Sequence, residues 1–261
     1  MRYAADYIED LQVSGRVVFT TDGAVRALGK PAPAVRAQLR RLVSKGRLAC
    51  PFRGFYVTVP PKYRRLGCLP PDQFIPQLME HLGHSYYVCL LSAAAYHGAA
   101  HQAPMVFQVM VSQSRRDLAC GGVRVNFVAR QEMSEVSVVA RNTPTGVLRI
   151  ASPAATAVEL VGYPERCGYL DNVATVLAEL ADSIDGESLA VEAARAPVAW
   201  TQRLGYLLEL VEREDLAKRL DAVLARSRLF TVPLAPWLDR AGASRNARWR
   251  LAINTDVEPD I

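Results

Sequence analysis

Four histidines stand in two close pairs, His81 with His84 and His97 with His101. The second pair has the i, i+4 spacing that lets two imidazoles on one helical face share a zinc ion. A zinc hydrolase of that pattern also needs a glutamate beside the first histidine, and Gly98 stands there. No nearby carboxylate or thiolate completes a ligand set. Polar helix ends or core hydrogen bonds account for these histidines as well, and no metal site is assigned. The other chemistries fare no better. Ser92 lies in "LLSAA", outside any GxSxG turn, and "CGGVRV" lacks the lysine and the helix of a phosphate loop. Glu132, Glu135 and Glu159 are isolated from the carboxylates and lysine that a metal-dependent nuclease would gather. Five cysteines, Cys50, Cys68, Cys89, Cys120 and Cys167, are scattered with no CxxC pair. That spacing fits reduced thiols of a cytoplasmic protein, not a disulfide framework. No catalytic residue and no cofactor is assigned.

Charge carries more information. Residues 1–66 hold thirteen Lys+Arg against four Asp+Glu, whereas the remaining residues hold eighteen against twenty-two. From Gly23 to Pro71 there is no acidic residue at all. Such asymmetry points to an anionic partner, and nucleic acid is the leading one. Within "PAVRAQLRRLVSKG" the apolar Val35, Leu39 and Leu42 recur at i, i+4 and i+7 and define a buried stripe. At 100° per residue Ala37, Arg40 and Ser44 then point away from the core, with Arg41 beside them. Arg36 lies on one flank, and Gln38 with Lys45 on the other. Small residues at Ala32, Ala34 and Ala37 allow a close approach to a groove floor. Arginine can grip phosphate or pair with guanine. Lys30, Arg36, Gln38, Arg40, Arg41, Lys45 and the hairpin-tip Arg53 are the candidate DNA-binding residues, with Lys62, Arg64 and Arg65 able to reach flanking phosphates.

The elements that must position these residues can be read around them. Arg2 to Leu11 has helical periodicity, "RVVFT" is a short strand, and Thr20 or Thr21 caps a helix over Asp22–Leu28 that Gly29 ends. "KPAP" opens the next helix with proline in its first turn. "RLACP" and "FYVTVP" make a hairpin around Arg53-Gly54. This order predicts a winged helix-turn-helix domain over 1–66. Proline-rich "PPKYRRLGCLPPD" predicts a linker over 67–72, and 73–261 forms a larger α+β domain. That domain is expected to hold a long apolar helix over Tyr87–Ala100, then strands "MVFQVMV", "VRVNFV", "VSVVA" and "VLRI". A helix capped by Ser152 follows, then four amphipathic helices and a final strand "RWRLAIN". A second cationic cluster, Arg226, Arg228, Arg240, Arg245, Arg248 and Arg250, is interleaved with Trp237 and Trp249. It suits stacking on an anionic partner or an arginine surface over a tryptophan-anchored core. The opening segment is amphipathic, and no apolar run reaches membrane-spanning length, so no secretory leader and no membrane partner are expected.

The basic unit ending in "RGFYVTVPP" resembles the AbiEi antitoxins of type IV toxin–antitoxin systems. So do "LPPDQFIPQLM", "YYVCLLSAAAYHGAAHQAPMVFQVMVS", "NTPTGVLRIASPAATAVELVGY", "DNVATVLAEL", "QRLGYLLE" and "NARWRLAIN", which follow in order over nearly the full length. The resemblance implies a non-enzymatic phage-defence regulator that binds inverted repeats in its own promoter, so double-stranded DNA is one partner. The other implied partner is an AbiEii-type nucleotidyltransferase toxin, counteracted by the C-terminal domain. Two readings compete: a nuclease-like, metal-dependent enzyme with a DNA-targeting head, and a repressor that senses a small ligand.

Overall fold

The computed structural model describes residues 3–99 and 104–260. The chain opens with α1 (Ala4–Val13), β1 (Val18–Thr20), α2 (Thr21–Leu28), α3 (Ala32–Ser44), β2 (Leu48–Phe52) and β3 (Phe55–Thr58). The three strands pair antiparallel in the order β1–β3–β2, with Phe19 opposite Tyr56. Local chemistry sets the element ends. The Thr20 hydroxyl accepts the Gly23 amide hydrogen at 3.1 Å and caps α2. Gly29, at φ 61°, supplies the left-handed residue that turns the chain into α3. Pro33 sits in the first turn of α3, where a missing N–H leaves no bond unmade.

One apolar core holds this region together. Ile8 and Leu11 from α1, Ala24 and Leu28 from α2, and Val35, Leu39 and Leu42 from α3 pack with Phe19, Leu48 and Tyr56. The Phe19 and Tyr56 rings stack at 5.4 Å, and Tyr7 meets Phe19 edge-on at 5.5 Å. Burying each of the three large α3 side chains contributes about 1.5–3 kcal/mol, and that fixes which face of α3 is left outward.

Next come α4 (Ile75–Leu82), β4 (Tyr86–Val88), α5 (Leu90–Tyr96), β5 (Phe107–Val111), β6 (Leu118–Cys120), β7 (Val123–Ala129), β8 (Val138–Thr143) and β9 (Gly146–Ala151). These strands form a six-stranded sheet in the order β6–β7–β5–β4–β9–β8, with β5 parallel and β6 antiparallel to β7. A helical region follows: α6 (Pro153–Gly162), α7 (Tyr169–Leu180), α8 (Gly186–Arg195), α9 (Val198–Leu210) and α10 (Glu214–Leu224). The Ser152 hydroxyl caps α6 as expected, accepting from the Ala155 amide at 3.2 Å. Three short strands, β10 (Val232–Pro233), β11 (Ser244–Asn246) and β12 (Leu251–Ile253), close the chain in the order β10–β12–β11.

Three expectations are corrected. Tyr86–Val88 is a strand, and the helix expected over Tyr87–Ala100 is only α5, from Leu90 to Tyr96. The run is apolar on every side, so its periodicity cannot separate a buried strand from a buried helix. Cys89 is extended, and Leu90 has φ 51°, which breaks the chain between the two elements. The tail strand is confined to Leu251–Ile253, and β6, β10 and β11 were not anticipated. Residues 67–72, expected as a linker, are packed: Cys68 and Leu69 are buried. The compact units divide elsewhere. One comprises residues 1–87, 105–131 and 140–149, and the other 88–104, 132–139 and 150–261.

Candidate nucleic-acid interface

The burial of Val35, Leu39 and Leu42 leaves Arg36, Arg40, Arg41 and Lys45 exposed, as the wheel requires. Arg36 with Arg40, and Arg41 with Lys45, are like-charged pairs at i, i+4, each costing about 0.2–0.5 kcal/mol in an isolated helix. Among the described residues no carboxylate lies within ion-pair distance of any of the four, and no acid stands in the first turn of α3. The one ion pair close by is Arg47 with Glu9, at 3.2 Å, and it sits beyond the end of α3. The helix therefore presents cations that form no ion pair with any described carboxylate.

Arg53 is exposed at the hairpin tip, where Gly54 takes φ 80°. Arg36 and Arg53 line one concavity of about 430 Å³, together with Thr20, Thr21, Gly54, Tyr56, His81 and one carboxylate, Asp22. The hairpin is tied to the start of α2, because the Thr21 amide donates to the Gly54 carbonyl at 2.8 Å. Burial holds the Tyr56 phenol above its ordinary pKa, while a hydrogen bond with Thr21 and the charges of Arg36 and Arg40 pull it back. Arg115 braces the hairpin from below, its guanidinium lying between the Phe52 ring at 5.8 Å and the Phe127 ring at 4.5 Å.

Two expected contact residues are otherwise engaged. Gln38 is half-buried, and its Oε1 accepts the Ala4 amide hydrogen at 3.0 Å, capping the start of α1. Lys30 is half-buried, with its Nζ 4.7 Å from the centre of the Tyr3 ring. Residues that the sequence reading missed include Thr21, Tyr56 and His81. Tyr56 lies in a strand of four buried residues, so no alternation marked it as facing a concavity.

The second arginine cluster is arranged differently. Arg248 pairs with Glu209 and with Asp221, the latter at 2.6 Å, and lies 4.8 Å over the Trp249 ring. Trp249 is fully buried against Gly205, where an added Cβ would fall 2.1 Å from the ring. Gln202 is buried and donates to the Trp249 carbonyl at 2.9 Å. Of the basic–aromatic cluster, then, Trp249 is committed to packing and Arg248, though at the surface, to ion pairs. Arg226, Arg228, Arg240, Arg245 and Arg250 remain exposed.

The histidine question resolves in part. The His97 Nε2 is 2.7 Å from the Ala151 carbonyl, a core hydrogen bond, whereas His101 lies outside the described residues. Among the described residues no group of three or more His, Cys, Asp or Glu is arranged to hold a metal ion. Nor is any described helix long and apolar enough to cross a membrane.

Residues 86–210 match the family model of the AbiEi antitoxin C-terminal domain. No curated protein matches the chain. Among solved structures it is similar to the crystal structure of the RV2827C protein from Mycobacterium tuberculosis, with a TM-score of 0.68 and 18% sequence identity. That likeness spans 96% of this chain and 92% of the other, and at this identity it speaks for the fold alone.

Proposed function

We propose that this chain, whose residues 86–210 match the family model of the AbiEi antitoxin C-terminal domain, is the non-catalytic antitoxin of a type IV pair and represses its own operon. In this reading the first six elements are a winged helix-turn-helix: α3 enters the major groove and the β2–β3 hairpin is the wing. The observation that carries it is the outward face of α3, where Arg36, Arg40, Arg41 and Lys45 have no carboxylate partner among the described residues. A DNA backbone would supply that counter-charge. Arg53 and Arg36, lining one concavity, would hold a phosphate run between groove helix and wing. Arg40 and Arg41 are assigned to base edges or their adjoining phosphates.

The test is a titration of the full chain on the DNA upstream of its own gene. Neutralising five to eight phosphates gives a log–log salt slope of about −5 to −7. Affinity that ignores salt would remove the backbone from the interface. The antitoxin role is tested separately, by co-expression with an AbiEii-type nucleotidyltransferase toxin. Growth is restored if this chain counteracts that toxin, and the Arg40→Ala chain, which keeps the C-terminal domain intact, still restores it.

A further inference from the structure

Three of the five cysteines converge. Cys50 lies on β2, Cys68 in the packed segment after the hairpin, and Cys120 at the end of β6. Their meeting is built into the backbone. Gly67 has φ 73° and Gly121 has φ 58°, conformations that an L side chain rarely adopts. The two glycines touch: a Cβ on Gly121 would fall 2.3 Å from the Leu66 carbonyl oxygen and 2.9 Å from Gly67 Cα. The Gly122 amide donates to that same carbonyl at 2.7 Å. Only glycine at both positions brings the next residue of one segment, Cys68, against the residue before the other, Cys120. There the Cys68 S–H donates to the Cys120 sulfur. The Cys50 amide donates to that sulfur as well. Cys50 sits where the β2–β3 register slips, between Ala49 and Phe52, so its amide is outside the regular ladder.

We propose that Cys68 and Cys120 are a peroxide-oxidisable dithiol, and that closing their disulfide releases the hydrogen bond that holds β2 at Cys50.

Asymmetry between the two thiols assigns their roles. The hydrogen bond from Cys68 holds the Cys120 thiol below its ordinary pKa, against burial, and so favours its thiolate. Cys68 is raised, first by that same hydrogen bond and then by burial. Cys120 is half-buried and reachable, whereas Cys68 is buried. The Cys120 thiolate attacks the terminal oxygen of a hydroperoxide, the O–O bond breaks, and an alcohol (water, for hydrogen peroxide) leaves with a proton from solvent. Cys120 is then a sulfenic acid. The Cys68 sulfur attacks the Cys120 sulfur, and its proton goes to the departing hydroxyl. The S–O bond breaks, the S–S bond forms and water leaves. Two thiols and one hydroperoxide become one disulfide, one alcohol and one water. A disulfide sulfur is a poor acceptor beside a thiolate, and the Cys50 amide loses its partner.

The test treats the full-length protein with stoichiometric hydrogen peroxide and reads three quantities. Peptide mapping should join the peptides bearing Cys68 and Cys120, in the wild type and equally in Cys50→Ser. Amide exchange at Cys50 should quicken on oxidation and return to its starting rate after a dithiol reductant. In Cys68→Ser the sulfenic acid should persist on Cys120 and be captured by a carbon nucleophile; if that variant fails to fold, the wild-type mapping still decides. Cys167, buried and pushed up to about 12 by its burial, is the internal control and should stay reduced. A link through Cys50 or Cys167, or no link while Cys120 is oxidised further, would overturn the dithiol. A Cys68–Cys120 link with unchanged Cys50 exchange would overturn the coupling to β2.

Discussion

Two arginine-rich regions of this molecule set the same residue in opposite surroundings. On α3, Arg36, Arg40 and Arg41 stand exposed in a stretch with no acid from residue 23 to 71. Around β12, Arg248 is gripped by Glu209 of α9 and Asp221 of α10 and lies over Trp249. In the sequence the second cluster is the more suggestive, since aromatics alternate with its arginines. In the fold its central arginine is neutralised within the protein, and the plainer cluster on α3 is not. What separates the paired arginine from the unpaired ones is the counter-charge supplied from distant chain, and local composition cannot report it.

The comparison is broken most severely through Trp249. Trp249→Ala removes a fully buried indole wedged against Gly205 and should cost about 3–5 kcal/mol of stability, read by denaturant unfolding. A loss under 1 kcal/mol would mean that this cluster is not a packing element. Next, Arg40→Ala and Arg41→Ala should each weaken binding to upstream DNA by about 1–3 kcal/mol where the contact is direct. Each should flatten the salt slope by about one unit if it meets phosphate, and neither should lower thermal stability. Removing like charges from α3 relieves repulsion, so an unchanged or slightly raised melting point accompanies weaker binding. Unchanged affinity in both variants takes α3 out of the interface. Arg248→Ala should do the reverse: no effect on DNA affinity, and a stability loss of about 1 kcal/mol or less, because the guanidinium and Asp221 are both partly exposed.

The same contrast explains what the sequence could and could not tell. The outward set on α3 was legible because three buried apolar positions at i, i+4 and i+7 leave the helix one rotation. A threonine cap at Thr20 or Thr21, Gly29 as terminator and Arg53-Gly54 as hairpin tip were legible because each is a local requirement of φ, ψ or an orphan amide, and the structure selects Thr20. The partners of Gln38 and Lys30 within the chain were not legible, because a wheel does not know that the start of α1 lies beside them. Tyr86–Val88 escaped because a strand buried on both faces has no alternation to show. Glu209 stands 39 residues before Arg248, so their pairing was beyond any local window. The thiol cluster was hidden for the same reason: "no CxxC" described spacing along the chain, while two glycines in left-handed conformations decided spacing in space.

A smaller test sharpens the comparison through pH, since carboxylates in the two regions are shifted in opposite directions. Asp72, the first acid after the acid-free stretch, has its pKa raised by burial, which its own and the Gln73 backbone amides only partly offset. A carboxylate acting as counter-charge for the α3 arginines would be lowered. Asp215 on α10 is lowered, chiefly by its hydrogen bond from Arg213 at 3.1 Å. The signs follow by linkage. Because Asp72 binds its proton more tightly folded than unfolded, it costs stability above its folded pKa, and the cost fades as pH falls to the ordinary carboxylate range. Asp215 contributes stability above that range and loses it as pH falls through its own lowered pKa. Asp72→Asn should therefore raise the melting point at neutral pH, with the gain disappearing in acid. Asp215→Asn should lower it slightly at neutral pH, with the loss disappearing in acid. A neutral-pH loss in Asp72→Asn would mean that its carboxylate does neutralise cations nearby, and the proposal that DNA balances the charge on α3 would lose its support.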